Sequence, residues 1–293
     1  MARSAVSLSN SGKYDEALRD AKRVVEICER ILGKDDDWVI TSVINLAEVQ
    51  VQRGQYREAQ GLFERALRSY ERTFGGDNIK LADVLDRLAV VYYRLGRASD
   101  TERVFIRALS IREKVLAAEH PDIAYSIRNL AEFYQFQGNY KKGEPLYQRL
   151  LELRRGQGAA QPIADALERY ACLLRKTKRL PEAEDMESRA LELTWPQGLR
   201  EEIASAGVVN GTAIKLYQPP YPEEARAQAA AGEVKVRILI NESGTVIRAC
   251  AIEGPQVFMK ASESAAYQSK FSPTTAGGKP LRVTGFIIYR FGR

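Results

Sequence analysis

Residues 45–66 read NLAEVQVQRGQYREAQGLFERA, residues 87–108 read RLAVVYYRLGRASDTERVFIRA, and residues 129–150 read NLAEFYQFQGNYKKGEPLYQRL. The three segments start 42 residues apart and keep one register. Leu46-Ala47, Leu88-Ala89 and Leu130-Ala131 open them, Gly54, Gly96 and Gly138 share an offset, and Ala66, Ala108 and Leu150 close them. Working outward, Gly12-Lys13-Tyr14 marks an earlier copy. A degenerate fifth copy stands at Lys178-Arg179-Leu180, flanked by Tyr170-Ala171 and Ala190. A small residue follows each turn at Ala17, Ala59, Thr101, Gly143 and Ala183.

Such a period fits one pair of antiparallel helices per copy. The small residues let two backbones approach, Leu46, Tyr92 and Tyr134 fill the gaps between pairs, and each glycine ends a first helix. One pair cannot bury its apolar face, whereas four or five stacked pairs can. His120-Pro121-Asp122 breaks the chain and starts the next helix.

The pattern Leu-Ala…Tyr…Gly-x-Tyr…Ala resembles the tetratricopeptide repeat. The long period, with RALSIREKVL at 107–116 and EHPDIA at 119–124, is similar to the repeats of kinesin light chains. The resemblance implies an all-α tetratricopeptide solenoid over residues 1–195. It also implies a concave groove lined by first helices, with Asn45, Arg87, Asn129 and Arg169 before each Leu-Ala or Tyr-Ala pair. Asparagines there would hydrogen-bond an extended peptide, and arginines would favour carboxylates on it. Aligning Ala5 with Ala47 puts Met1 inside a first helix, so coding sequence upstream of Met1 is expected, carrying an anchor or export signal.

The 293-residue chain has room for two domains, and its 45% hydrophobic and 28% charged content is that of a globular protein. No run of residues approaches the length of a membrane-spanning segment. MARSAVSLSNSGKY lacks the apolar core of a signal peptide. Residues 211–293 hold 5 Lys, 6 Arg and 6 Glu, so they carry +5 of the formal charge of +6. These charges are scattered, which argues against nucleic acid as a partner. Cys28, Cys172 and Cys250 lie far apart in apolar surroundings and are expected as buried free thiols.

Periodicity stops after Trp195-Pro196, and residues 196–213 read as a short linker. In the module at 214–293, Pro222 and two glutamates start a helix that Gly232 stops. Val234, Val236, Ile238 and Ile240 then alternate with Lys235 and Arg237, which predicts a strand buried on one face. Asn241–Gly244 is a hairpin turn, and a second strand covers 245–252. A helix with Phe258, Ala261 and Ala265 inward is expected to run to about Phe271. After a turn at Gly277–Pro280 the last strand is expected from Leu281 to Phe291. The order αββαβ predicts a small α+β domain, a three-stranded antiparallel sheet with two helices.

Tyr221-Pro222, Ala225, Gly232-x-Val234-x-Val236, Gly244-x-Val246, Lys270-Phe271-x-Pro273, Gly278-x-Pro280 and Tyr289-x-Phe291 together resemble the C-terminal domain of the TonB family, periplasmic energy transducers of bacteria with an outer membrane. The resemblance implies an envelope location, a role in energy-coupled transmembrane transport, and capture of an extended segment of an outer-membrane receptor by strand addition beside the last strand. The edge residues would be Arg282, Thr284, Phe286, Ile288 and Arg290, with Gln218, Tyr221 and Pro222 nearby. A helical array stands where that family has a Pro-rich spacer.

Catalysis is not expected. His120 is the only histidine, so no His-based triad or metal site assembles. Gly156-Gln157-Gly158 lacks the third glycine and preceding strand of a dinucleotide loop, and Gly277-Gly278-Lys279 is followed by Pro280 rather than a hydroxyl residue. The reading is a non-enzymatic adaptor of the bacterial cell envelope, with no cofactor. The alternative is a soluble scaffold whose groove binds peptides, the C-terminal module being a structural or dimerising cap.

Overall fold

A computed structural model describes residues 14–194, 208–209, 212–227, 230–276 and 278–292 of the chain. The chain forms two compact units, Met1–Phe133 and Tyr134–Arg293. The readings placed on Met1, Ala5, Gly12, Trp195-Pro196 and Gly277 lie outside the described residues.

The first unit holds α1 (Tyr14–Leu32), α2 (Asp37–Gln52), α3 (Tyr56–Phe74), α4 (Ile79–Arg94), α5 (Ala98–Val115) and most of α6 (Pro121–Phe136). Consecutive helices pack against each other from α1 to α5. Ala47, Ala59, Ala89 and Ala108 are fully buried, so these backbones approach without side-chain bulk between them, while Phe63, Leu88 and Tyr92 fill the layers. The turns repeat in atomic detail. Gly54 N–H donates to the Val51 carbonyl and Gln55 N–H to the Gln50 carbonyl, both at 2.9 Å, and Gly96 and Arg97 do the same with Tyr93 and Tyr92. This is the six-to-one and five-to-two pairing that closes a helix on a left-handed residue. The helix starts repeat as well: Asp36, Asn78 and His120, 42 residues apart, each accept from the backbone N–H two residues on.

The surface carries a further periodicity. Glu29 pairs with Arg65, and one repeat later Glu71 pairs with Arg107. Asp35 pairs with Arg72, and Asp77 with Lys114. These charges bridge neighbouring helix pairs.

The second unit continues with α7 (Tyr140–Gln157), α8 (Ala160–Lys176) and α9 (Leu180–Thr194). At the fifth turn Lys178 takes the place of glycine with φ of 64°. Its N–H and that of Arg179 make the same pair of closing bonds, to Arg175 and Leu174.

Beyond Thr194 come β1 (Val208–Val209), β2 (Ala213–Lys215), α10 (Glu223–Ala227), β3 (Gly232–Ile240), β4 (Val246–Glu253), α11 (Gln256–Gln268), β5 (Lys270–Phe271), β6 (Thr274–Ala276), β7 (Lys279–Leu281) and β8 (Val283–Phe291). The main sheet is antiparallel in the order β4-β3-β8. Its core gathers Val234, Val236, Ile238, Phe258, Ile287 and Phe291, with the Phe258 and Phe291 rings stacked 4.0 Å apart. Gly244, at φ of 80°, lies so close to the Phe271 carbonyl that any Cβ would overlap it.

Four details differ from the sequence reading. Two small ribbons, β1-β6-β7 and β2-β5, draw Val208–Val209 and Ala213 of the expected linker back onto the module. Helix α11 stops at Gln268, because Lys270–Phe271 pairs with β2. The last strand is broken at Arg282, since Leu281 pairs with Thr274 while Val283 pairs with Ile240. The strand β3 is covered on both faces from Val236 to Ile240.

Candidate functional site

Strand β8 pairs with β3 along its whole length, from Phe291 opposite Gly232 to Val283 opposite Ile240. Among the described residues no strand pairs with its far side. Unpaired N–H and C=O groups along such an edge can receive another strand. Alternation puts Ile287, Tyr289 and Phe291 in the core and Thr284, Phe286, Ile288 and Arg290 on the outer face. Phe286 and Ile288 are 55% and 53% exposed, two large apolar side chains side by side on one strand. The Lys235 ammonium lies 4.8 Å from the Phe286 ring centre, and Arg290 binds the Glu233 carboxylate at 2.6 Å.

Arg282 does not belong to this edge. It sits in the break before β8 and donates to Glu242 at 2.9 Å and to the Gln161 side chain at 2.6 Å. Gln218 is exposed. Tyr221 packs edge-on against Phe258 and Phe291, and its hydroxyl donates to the Ala230 carbonyl, so it braces the end of β8. The Pro222 carbonyl accepts from Ala225 and Arg226 and anchors α10.

Asn45, Arg87 and Asn129 lie on α2, α4 and α6 of the first unit, and Arg169 on α8 of the second. Arg87 is already paired with Glu48, and Arg169 with Asp165 at 2.9 Å. Arg87 stays about half exposed beside its partner, whereas Arg169 is largely buried.

The largest departure lies beneath the sheet. Cys172 on α8 and Cys250 on β4 form a disulfide with Cα atoms 5.8 Å apart, so they are not free thiols. Each cysteine sits in its own apolar pattern, and only the packing of α8 on β4 brings them together. Around the disulfide runs a chain of ion pairs. Arg237 of β3 binds Glu168 at 2.8 Å and Glu187 at 3.0 Å, and Arg175 binds Glu187 at 2.7 Å. Lys176 binds Glu263 at 2.8 Å, and the same carboxylate oxygen accepts the Ala251 N–H at 2.8 Å. Arg248 binds Asp165. Burial pushes the Glu168 carboxyl up, while the Arg237 guanidinium opposes that shift. Arg237, read as the polar side of a one-face strand, is 6% exposed because α8 and α9 cover that face. The only warning in the sequence was an arginine flanked on both sides by apolar residues.

Comparison with known proteins agrees with this picture. A tetratricopeptide repeat family model matches residues 1–72, 45–114 and 122–194. A model described as Gram-negative bacterial TonB protein C-terminal matches residues 217–292. Among solved structures, kinesin light chain TPR-like repeats from Podosopora anserina superpose with a TM-score of 0.60 at 20% identity, covering 66% of this chain and 92% of that one. The protein BtubC (BKLC) from P. vanneervenii gives a TM-score of 0.59 at 16% identity, covering 69% of this chain and 78% of that one. These likenesses concern the fold. No curated protein sequence matches the chain.

Proposed function

We propose, for a chain that belongs to the tetratricopeptide repeat family and carries a TonB-type C-terminal domain, the role of a non-enzymatic adaptor in the bacterial cell envelope. The repeats make it a protein–protein interaction scaffold. Strand β8 is the working edge, receiving an extended segment of an outer-membrane protein by backbone pairing and coupling the array to transport across that membrane. The observation that carries this reading is the exposed Phe286–Ile288 pair beside an edge unpaired among the described residues. Backbone bonds would supply much of the affinity, and the two apolar side chains the selectivity. The periplasmic assignment is supported by the Cys172–Cys250 disulfide, since such bonds persist in oxidising compartments. Among the described residues no helix is long and apolar enough to cross a membrane.

The test is photo-crosslinking in the periplasm of a Gram-negative host. A photoreactive residue at Phe286 or Ile288 should capture a short extended segment of an outer-membrane protein, identified by mass spectrometry. The same group at Tyr267, exposed on α11, serves as the control. Equal capture from Tyr267, or none from β8, would remove strand addition from consideration.

A further inference from the structure

Within the second unit, the main sheet meets α8 and α9 across one face. Arg237 on β3 stands opposite Cys250 on β4 and opposite Phe286 on β8. Directly opposed residues of antiparallel strands share a face, so the three side chains form one row. Cys250 and Arg237 are buried, and Phe286 is exposed at the end of the row. The covered part is held largely by charge, through the pairs of Arg237 with Glu168 and Glu187 and of Arg248 with Asp165. Between the layers lies a void of about 20 Å³, lined in part by Asp165, Glu168, Ala190, Leu239 and Arg248. It is large enough for one water, and the buried Glu168 Oε1 has no hydrogen-bond partner among the described residues. Ion pairs around a wettable void lose little when the layers part, because water replaces the bonds that break.

The Cys172–Cys250 disulfide ties this polar interface shut, and both its sulfurs have partners for a reduced state. Cys172 is only half-buried, which gives a reductant access, and the Gln135 side-chain N–H donates to its Sγ at 3.3 Å. Cys250 Sγ lies 3.7 Å from the Cys172 carbonyl oxygen, to which its thiol would donate.

We propose that this disulfide is a redox latch. Oxidised, it holds the sheet closed on α8 and α9. A dithiol reductant opens it: one thiolate attacks the Cys172 sulfur and Cys250 leaves, and the second thiol then displaces Cys172. The reductant becomes a disulfide, and its two electrons and two protons end on the two cysteines. The ion pairs then keep the module closed only as an equilibrium, and it opens and recloses. Opening uncovers Arg237 and Cys250 beside Phe286, so the exposed surface of β8 widens to a face of three strands. The inference rests on the make-up of the interface and stands whether or not β8 receives a strand.

The test uses the full chain carrying Cys28→Ser, reduced with dithiothreitol, desalted without oxygen and labelled with N-ethylmaleimide in native buffer. Mass spectrometry reads the labelling rate at Cys250. That rate should be at least tenfold faster than global unfolding allows, a limit fixed by the urea curve of the same reduced chain. Ala164→Cys, buried on α8 where it lines the same void, puts a second reporter on the opposite wall. Its thiol should be labelled at a similar rate after reduction and stay protected while the disulfide is intact. Arg237→Met with Glu168→Leu replaces the hydratable pair by apolar contact and should slow both reactions about tenfold. Diamide should return the reduced chain to a single species with the Cys172–Cys250 bond restored. Labelling of Cys250 only at the unfolding-limited rate would make the bond a purely structural cross-link and overturn the latch. Labelling of Cys250 without the Ala164→Cys thiol would mean fraying of β4 alone and overturn it too. Unchanged rates in the Arg237→Met, Glu168→Leu chain, or reoxidation to intermolecular bonds, would do the same.

Discussion

Reducing the Cys172–Cys250 disulfide tests whether the C-terminal module is fixed to the last helix pair. The bond closes a loop with a sequence separation of 78 residues. The chain-entropy estimate for a loop of that size is roughly 4.5 kcal/mol at 25 °C. Measured losses run nearer 2–4 kcal/mol, because native strain and residual unfolded structure intervene. The ion pairs Arg237–Glu168 and Lys176–Glu263 span the same interface and remain after reduction. The expectation is therefore a loss of about 3 kcal/mol in the unfolding of the second unit. The assay is urea denaturation of protein made in an oxidising compartment, with and without reductant, beside Cys172→Ser/Cys250→Ser. Thiol titration of the denatured, unreduced chain should find one reactive thiol, at Cys28. Three reactive thiols, or a midpoint insensitive to reductant, would refute the reasoning.

Three further outcomes are expected. Arg237→Ala strands the buried carboxylate of Glu168 and should cost about 3–5 kcal/mol, whereas Arg237→Met with Glu168→Leu should recover most of it; the urea midpoint reads both. Lys178→Gly should stabilise the chain by about 0.5–1 kcal/mol, since Lys178 occupies the left-handed conformation that its glycine counterparts adopt freely; thermal melts test this. Burial, and then the hydrogen bond to Glu64, push the Tyr92 phenol up to about 12 from its ordinary value of 10.0. The folded state thus retains that proton longer than the unfolded state. Its contribution to stability should be complete below pH 10.0 and lost as the pH rises through about 12. The difference in phenolate absorbance between the wild-type chain and Tyr92→Phe should show an ionisation near the upper value.

The helical register was readable because Gly54, Gly96 and Gly138 meet a local backbone demand that few other residues meet, so one residue type recurs. The fifth copy was harder to see, because Lys178 fills the same conformation without the glycine. The αββαβ order was readable from alternation and turn residues, and with it the outward set Thr284, Phe286, Ile288 and Arg290. The disulfide and the Arg237 network were not. The disulfide joins positions 78 residues apart and the Arg237–Glu168 pair positions 69 apart, and alternation in β3 reports which residues share a face, not whether a second layer covers it. Arg282 was misplaced for a related reason: the hydrophobic pattern continues through the break, and only the change of pairing partner from Thr274 to Ile240 reveals it. The recurrent ion pairs were hidden in the choice of spacing, because they lie 36 or 37 residues apart rather than four.

Those recurrent pairs create an ambiguity that the chain must resolve. If Glu29–Arg65 and Glu71–Arg107 are interchangeable, a whole-repeat slip, or an exchange of helices between two molecules, would satisfy much of the same electrostatics. The Arg112–Asp86 pair breaks that degeneracy. One period away from Asp86 stand Ile44 and Arg128, and one period from Arg112 stand Tyr70 and Arg154. A slipped neighbour would therefore bury Arg112 against the wrong side chain, with no carboxylate to receive it. A costly buried charge can serve as an address label: the Arg112–Asp86 pair tells α4 and α5 which partner is theirs.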